Sequence, residues 1–179
     1  MTERQHFEVL QRLEHFEVRR YESCVVAEID MSDDYGSATQ GAFQHLFSYI
    51  SRGNKTSASI AMTAPVIAAN QHTSDSQNWR ISFVMPRGSS IKDLPNPNDS
   101  QVHLRELPAQ DCVAMSFKGR ATKPISEKKE AELRGYSQKE NLVLSSETRI
   151  CRFDPPFKPG FLQYNEIVIP IADRSDRAS

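Results

Sequence analysis

Apolar and polar residues alternate along several short stretches of this chain, and twice the alternation gives way to helical spacing. Phe16 and Val18 alternate with charge in Phe16-Glu17-Val18-Arg19-Arg20-Tyr21-Glu22, and an apolar run from Cys24 to Ile29 follows. Together these predict one long bent strand or two short ones. Asp33-Asp34-Tyr35-Gly36 reads as a loop, and Ser37 with Gln40 makes a capping-box start for a helix. Ala42, Phe43, Leu46, Phe47 and Ile50 then fall at helical spacing, and Gly53-Asn54 ends the run. Two strands are expected next, Ser59 to Ala68 and Trp79 to Met85, joined by a polar loop from Asn70 to Asn78. Within Ser59 to Val66, Ile60, Met62 and Val66 share one parity, and Pro65 removes a ladder donor near the strand's end. An edge or bulge there would let side chains reach a ligand.

The order returns in the second half. Gln101 to Leu107 alternates, and Cys112 to Phe117 is the counterpart of the Cys24 run. Pro124, Ala131, Leu133 and Tyr136 suggest a second helix from about Ile125 to Gln138, weakened by Gly135. Strands around Thr148 to Phe153 and Asn165 to Ile171 complete the half. Between the halves, Ile91 to Asp99 is rich in proline and asparagine and suits a connector. Strand, helix, strand, strand thus occurs twice, about 14–86 and 100–172, inside one domain at 7–172 with polar tails at 1–6 and 173–179. The pairs Cys24-Val25-Val26-Ala27 with Cys112-Val113-Ala114, and Pro65-Val66 with Pro156-Phe157, echo the repeat. One helix per half cannot cover both faces of a large sheet. The fold class is therefore α+β: a strongly curved antiparallel sheet or open barrel with two helices, and a pseudo-symmetric cleft between the halves.

Composition narrows the function classes. The chain has 179 residues, 38% hydrophobic and 25% charged, enough for one domain with a proper core. Lys+Arg number 22 against 23 Asp+Glu, a net charge of −1, so nucleic acid is not an expected partner. No apolar run approaches a membrane span, and the polar start Met1 to His6 leads into no signal-like apolar region. Cys24, Cys112 and Cys151 are odd in number and widely spaced, as expected of reduced thiols in a cytoplasmic protein. Sequence patterns for nucleotide loops, zinc hydrolases and serine nucleophiles are absent, so the residues nominate no reaction. Glu166 is the strand carboxylate that most merits a functional role.

Seven motifs in order carry a family resemblance. They are Phe16-Glu-Val-Arg-x-Tyr21, the helix ending before Gly53-Asn54, and Ile60-Ala-Met-Thr-Ala-Pro-Val66. After them come Ser82-Phe-Val-Met-Pro86, Leu94-Pro-x-Pro-x-Asp99, Asp154-Pro-Pro-x-Lys-Pro159 and Asn165-Glu-Ile167. The chain resembles the SOUL/haem-binding protein family from about Phe7 to Ile171. That likeness implies a distorted eight-stranded antiparallel barrel built from two βαββ repeats, similar to the effector-binding domains of gyrase-inhibitory regulators. It implies a non-enzymatic carrier or buffer for haem or another porphyrin, held in a hydrophobic cleft beside the first helix. The alternative is an effector module for another flat or cationic apolar molecule. An enzyme acting on tetrapyrroles would need a proton donor and acceptor that the sequence does not display.

By motif, the resemblance places the macrocycle against Gln40, Phe43 and Phe47, with Lys158 as the cation near a propionate. In relatives a basic residue can stand at the Gln40 position, and a histidine immediately before the motif's tyrosine is proposed as axial ligand; here that residue is Arg20. His45, between the two phenylalanines, and Met62 are the remaining candidates for binding iron. His6, His15, His72 and His103 sit in polar or terminal contexts.

Overall fold

A computed structural model describes residues 2–70, 78–155 and 157–172. The polar loop expected between Asn70 and Asn78 falls mostly outside the described residues, as do His72, Pro156 of the proline-rich motif and the 173–179 tail.

The strands are β1 (Glu3–Arg4), β2 (Phe7–Arg12), β3 (Glu17–Tyr21) and β4 (Cys24–Ser32). Helix α1 (Tyr35–Ile50) follows, then β5 (Thr63–Ala64), β6 (Val66–Asn70) and β7 (Asn78–Val84). The second half holds β8 (His103–Leu107), β9 (Gln110–Lys118), α2 (Lys123–Lys139), β10 (Thr148–Arg152) and β11 (Tyr164–Pro170). Nine strands form one antiparallel sheet in the order β2-β3-β9-β11-β10-β6-β7-β4-β8, curled into a half-barrel. The expected eight-stranded barrel is thus one strand short, and the sheet has two edges, β2 and β8.

The repeat is interlocked. Strand β3 precedes β4 in the chain but pairs with β9, while β8 precedes β9 but pairs with β4. Each half lends a strand to the other, and β6 of the first half pairs with β10 of the second at the centre. So the segment around Phe16 to Ile29 is two short strands rather than one bent one, and neither half closes a sheet alone.

Strand parity then divides the buried side chains into two layers. Val25, Ala27, Ile29, Ile81, Phe83, Val113, Met115, Ile150, Ile167 and Ile169 pack with Ala38, Ala42, Leu46, Tyr49 and Leu133 of the helices. Both helices therefore cover one face. A smaller layer, including Tyr21, Val26, Val84, Cys112, Cys151 and Val168, lies on the other.

Helix α1 begins earlier than the capping-box reading places it. Asp34 is its N-cap, accepting from the Ser37 amide (3.1 Å) and the Ser37 hydroxyl (2.9 Å). A carboxylate satisfies an orphan amide as well as serine does, so Asp34 takes the role. At the other end the Gly53 amide donates to Ser48 O (2.8 Å), and a Cβ on Gly53 would lie 2.5 Å from that oxygen. Thr122 caps α2, with Pro124 in its first turn. The single strand expected over Ser59 to Ala68 is broken: β5 and β6 are separated by Pro65, whose peptide with Ala64 is cis. Before the break, β5 pairs in parallel with β1, which lies in the stretch read as a polar tail. Among the described residues no helix is long and apolar enough to cross a membrane.

Candidate functional site

The outward side of α1 carries the expected residues. Leu46, Tyr49 and Ala42 turn into the core, which leaves Phe43 partly buried and Phe47 48% exposed. The two phenyl rings are parallel, with centroids 5.7 Å apart and planes at 11°. Phe43 is fixed from below by Phe83, edge-on at 5.5 Å. One side of this pair is therefore anchored in the sheet, while Phe47 offers a bare aromatic surface of the kind a flat guest can stack on. Gln40, one turn before Phe43, is exposed.

His45 points elsewhere. Its Nδ1 pairs with the carboxylate of Asp99 in the inter-half connector, and that bond is the main cause holding Asp99 below the usual carboxylate range. The connector is also tied down by Tyr49, whose hydroxyl donates to Pro95 O (2.7 Å). Met62 is partly buried against the helix-side core. Arg152 is in register with Val66, so the loop after β10 leaves the sheet where the Met62 segment enters it. Lys158 lies in that loop, and its Nζ donates to Asp154 Oδ1 at 3.0 Å. The Tyr164 amide donates to the second oxygen of Asp154 (2.7 Å), and together these lower the Asp154 pKa. The structure thus brings Phe43 and Phe47 together, joins His45 to Asp99, and commits Lys158 to Asp154. Among the described residues no group of three or more His, Cys, Asp and Glu is gathered as for a metal ion.

The face opposite the helices holds a buried polar network that the motif reading did not assemble. Arg19 donates from Nη1 to Glu166 Oε1 (3.0 Å) and from Nη2 to Oε2 (2.8 Å). Its Nη1 also donates to Tyr21 Oη (2.9 Å), and the Tyr164 hydroxyl donates to Glu166 Oε2 (2.8 Å). Burial opposes charge on Arg19, but Glu166 and Tyr21 together outweigh it and hold the guanidinium protonated. Burial pushes the Tyr21 and Tyr164 hydroxyls up. Glu28 and Arg105 form a second two-pronged pair, on β4 and β8 (2.8 and 3.0 Å). Each exchanged strand thus carries one arginine to this face. The signal available in the sequence was parity: Glu17, Arg19 and Tyr21 alternate with Val18, which faces the core.

Two cavities open on this face. One, of about 310 Å³, is bordered by Glu22, Cys24, Met85 and Arg87, and the other, of about 90 Å³, by Tyr21, Cys151, Phe153, Tyr164 and Glu166.

The profile described as SOUL heme-binding protein matches residues 2–170, nearly the whole chain. The chain belongs to that family. No curated protein matches it in sequence. Among solved structures, the EcmrR C-terminal domain is similar at 12% identity over 90% of this chain and 99% of that one, with a TM-score of 0.70. A hydrolase from Listeria innocua is similar at 15% identity over 91% and 94%, with a TM-score of 0.61. SAV2435 bound to tetraphenylphosphonium is similar at 11% identity over 91% and 97%, with a TM-score of 0.51. At these identities the likeness is one of fold: the SOUL chain shares the curled half-barrel of effector-binding domains.

Proposed function

We propose that this SOUL protein binds haem or a related tetrapyrrole without chemical turnover, as a carrier or buffer in a reducing, cytoplasmic setting. The macrocycle lies flat on the ring pair of Phe43 and Phe47, with Met62 at its border and Gln40 and Lys158 toward its propionates. The observation that supports this reading is the parallel pair itself: a half-exposed Phe47 stacked on a Phe43 that Phe83 braces. The bare side of Phe47 is an aromatic face that a flat guest can cover.

Magnitudes set the expected affinity. Covering roughly 400 Å² of apolar surface yields about 10 kcal/mol at about 25 cal/mol/Å². Lost translational and rotational freedom takes back about 4 kcal/mol. The remainder, about 6 kcal/mol, corresponds to a Kd of tens of micromolar. A half-exposed Lys158 adds about 0.2–1 kcal/mol only if it leaves Asp154. Stacking does not need iron. His45, turned toward Asp99, and Met62, packed on the core, fit a ring held by its face better than one held by its metal.

Haem has a place here in chemical terms: planar, apolar in its centre and anionic at one edge. The titration of purified protein with haemin and with metal-free protoporphyrin tests the reading. Similar affinities for the two, both weakened by Phe47→Ala, support it. A sharp Soret shift lost in His45→Ala would replace stacking by coordination, and affinity unchanged by Phe43→Ala and Phe47→Ala would reject the site.

A further inference from the structure

Exposed apolar side chains concentrate at one loop tip, residues 157–162, between β10 and β11. Phe157 is 87% exposed, Phe161 75% and Leu162 50%. The loop is not slack. The Lys158 amide donates to Pro155 O (3.1 Å), the Leu162 amide to Pro159 O (2.9 Å), and the Gln163 amide to Gly160 O (3.1 Å). Beneath them the buried Gln163 side chain donates to Lys158 O (2.9 Å). The tip is thus held in place with its rings turned outward, and little ordering is left to be done when something covers them.

Two cations flank the tip. The turn after β9 packs directly beside it: the Gly119 amide donates to Gln163 O (2.9 Å), and the Asn165 side chain donates to Gly119 O (2.6 Å). Lys118 is in register with Tyr164, where the loop rejoins the sheet. Arg120 lies along the tip itself, since a Cβ on Gly160 would fall 2.6 Å from its Nε. Both cations are exposed, and neither has a carboxylate within ion-pair distance among the described residues. The acid at the base of the loop, Asp154, is matched by Lys158 (3.0 Å). Bare rings and unmatched positive charge therefore share one corner of a chain whose net charge is −1.

We propose that this tip docks the protein on an anionic lipid bilayer: Phe157, Phe161 and Leu162 enter the boundary between headgroups and acyl chains, and Lys118 and Arg120 face the lipid phosphates. Apolar side chains in that boundary, with cations over acidic lipid, are the combination that holds a protein on a membrane surface. Such docking needs no membrane-spanning helix. A protein partner fits less well. A stable protein interface takes about 800 Å² from each side, and three side chains on one protruding loop offer much less. A bilayer requires no matching pocket, only protruding groups to insert and charge opposite to theirs. Lys158, turned to Asp154, takes no part, so the proposal does not rest on the porphyrin reading.

Co-sedimentation with vesicles, in the absence of any porphyrin, tests the proposal. One set is phosphatidylcholine alone, the other phosphatidylcholine and phosphatidylserine in equal parts. Native protein is expected to bind the anionic set more tightly. Phe157→Ala with Phe161→Ala is expected to lower that binding roughly a hundredfold, about tenfold per ring. Lys118→Gln with Arg120→Gln is expected to lower it roughly twentyfold, about fivefold per cation, and to leave neutral vesicles unaffected. All four side chains are exposed, so the unfolding midpoints of both variants are expected to match the native one. Phe161→Trp is expected to keep binding and to shift its emission to the blue on anionic vesicles, against Trp79, which is buried and does not respond. Native protein left in solution by both sets overturns the proposal and hands the tip to a protein partner. Binding unchanged by loss of the two rings, or as tight to neutral as to anionic vesicles, also overturns it.

Discussion

Arg19 on β3 and Glu166 on β11 meet across the intervening strand β9, joined by two hydrogen bonds with both side chains less than a tenth exposed. The pair links the first half of the chain to the last strand of the second. Removing Arg19 leaves Glu166 charged and dry, whereas removing Glu166 leaves Arg19 its bond to the Glu17 carboxylate (2.8 Å). Arg19→Met is therefore expected to cost about 3–5 kcal/mol in urea unfolding, whereas Arg19→Met with Glu166→Leu together should cost much less. A loss under about 1 kcal/mol for the single variant would show the pair to be solvated.

Phe43 and Phe47 share a surface but differ in burial, so their variants should separate stability from binding. Phe47→Ala removes a half-exposed ring and is expected to change unfolding free energy by less than about 1 kcal/mol. Phe43→Ala also loses the contact with Phe83, and about 2–3 kcal/mol is expected. Both should weaken protoporphyrin binding, by roughly tenfold for Phe47, as loss of a stacking partner implies. Chemical denaturation beside porphyrin titration reads the two effects apart.

The three thiols should react in a fixed order. Cys24 is half-buried and bonded only weakly by Gln5 (3.9 Å), whereas Cys112 and Cys151 are buried. Burial pushes the Cys112 thiol up to about 11 and the Cys151 thiol well above its usual range, and Cys24 is raised as well. At pH 8 only roughly one Cys112 in a thousand would be thiolate even if reached. An aromatic disulfide reagent at pH 8 is expected to modify one thiol, Cys24, in native protein and all three in urea. Fast modification of Cys112 or Cys151 under native conditions would contradict the buried assignment.

Acid should loosen the tie between α1 and the connector. The bond from His45 lowers the Asp99 pKa in the folded chain, so unfolded Asp99 takes up its proton first as pH falls. The stabilisation is thus fully present above the ordinary carboxylate range of about pH 4 and is lost as pH drops through the lowered folded value. With Asp99 a third exposed, the effect is about 1 kcal/mol or less after solvent screening. Unfolding of native protein and Asp99→Asn between pH 2 and 6 should show a gap at pH 6 that closes toward pH 2. A gap constant with pH would assign the difference to something other than this charge.

Much of the architecture was legible from periodicity, and its limits have physical causes. Ala42 and Leu46 mark the buried side of α1 by spacing alone, and the Cys24 and Cys112 runs mark one largely buried strand in each half. The start of α1 was displaced because Ser37 and Asp34 both suit a cap and spacing alone does not choose between them. Strand β2 escaped notice because its residues are mostly exposed at an edge, where no face need be apolar. The exchange of β3 and β8 between halves was invisible because alternation states which side a residue faces, not which strand lies beside it. For the same reason Glu166 could be singled out, but not Arg19, which is 147 residues away in sequence. The Phe43–Phe47 pair was readable because one helical turn joins them locally.

The account stands most directly on where a porphyrin touches the chain. Backbone amide shifts of isotope-labelled protein, followed during titration with metal-free protoporphyrin, locate that contact without any contribution from iron. Shifts concentrated on Phe43 to Phe47, with Met62 and Lys158 at the margin, are the predicted result. Shifts confined to Tyr21, Phe153, Tyr164 and Glu166, with α1 unmoved, would contradict it.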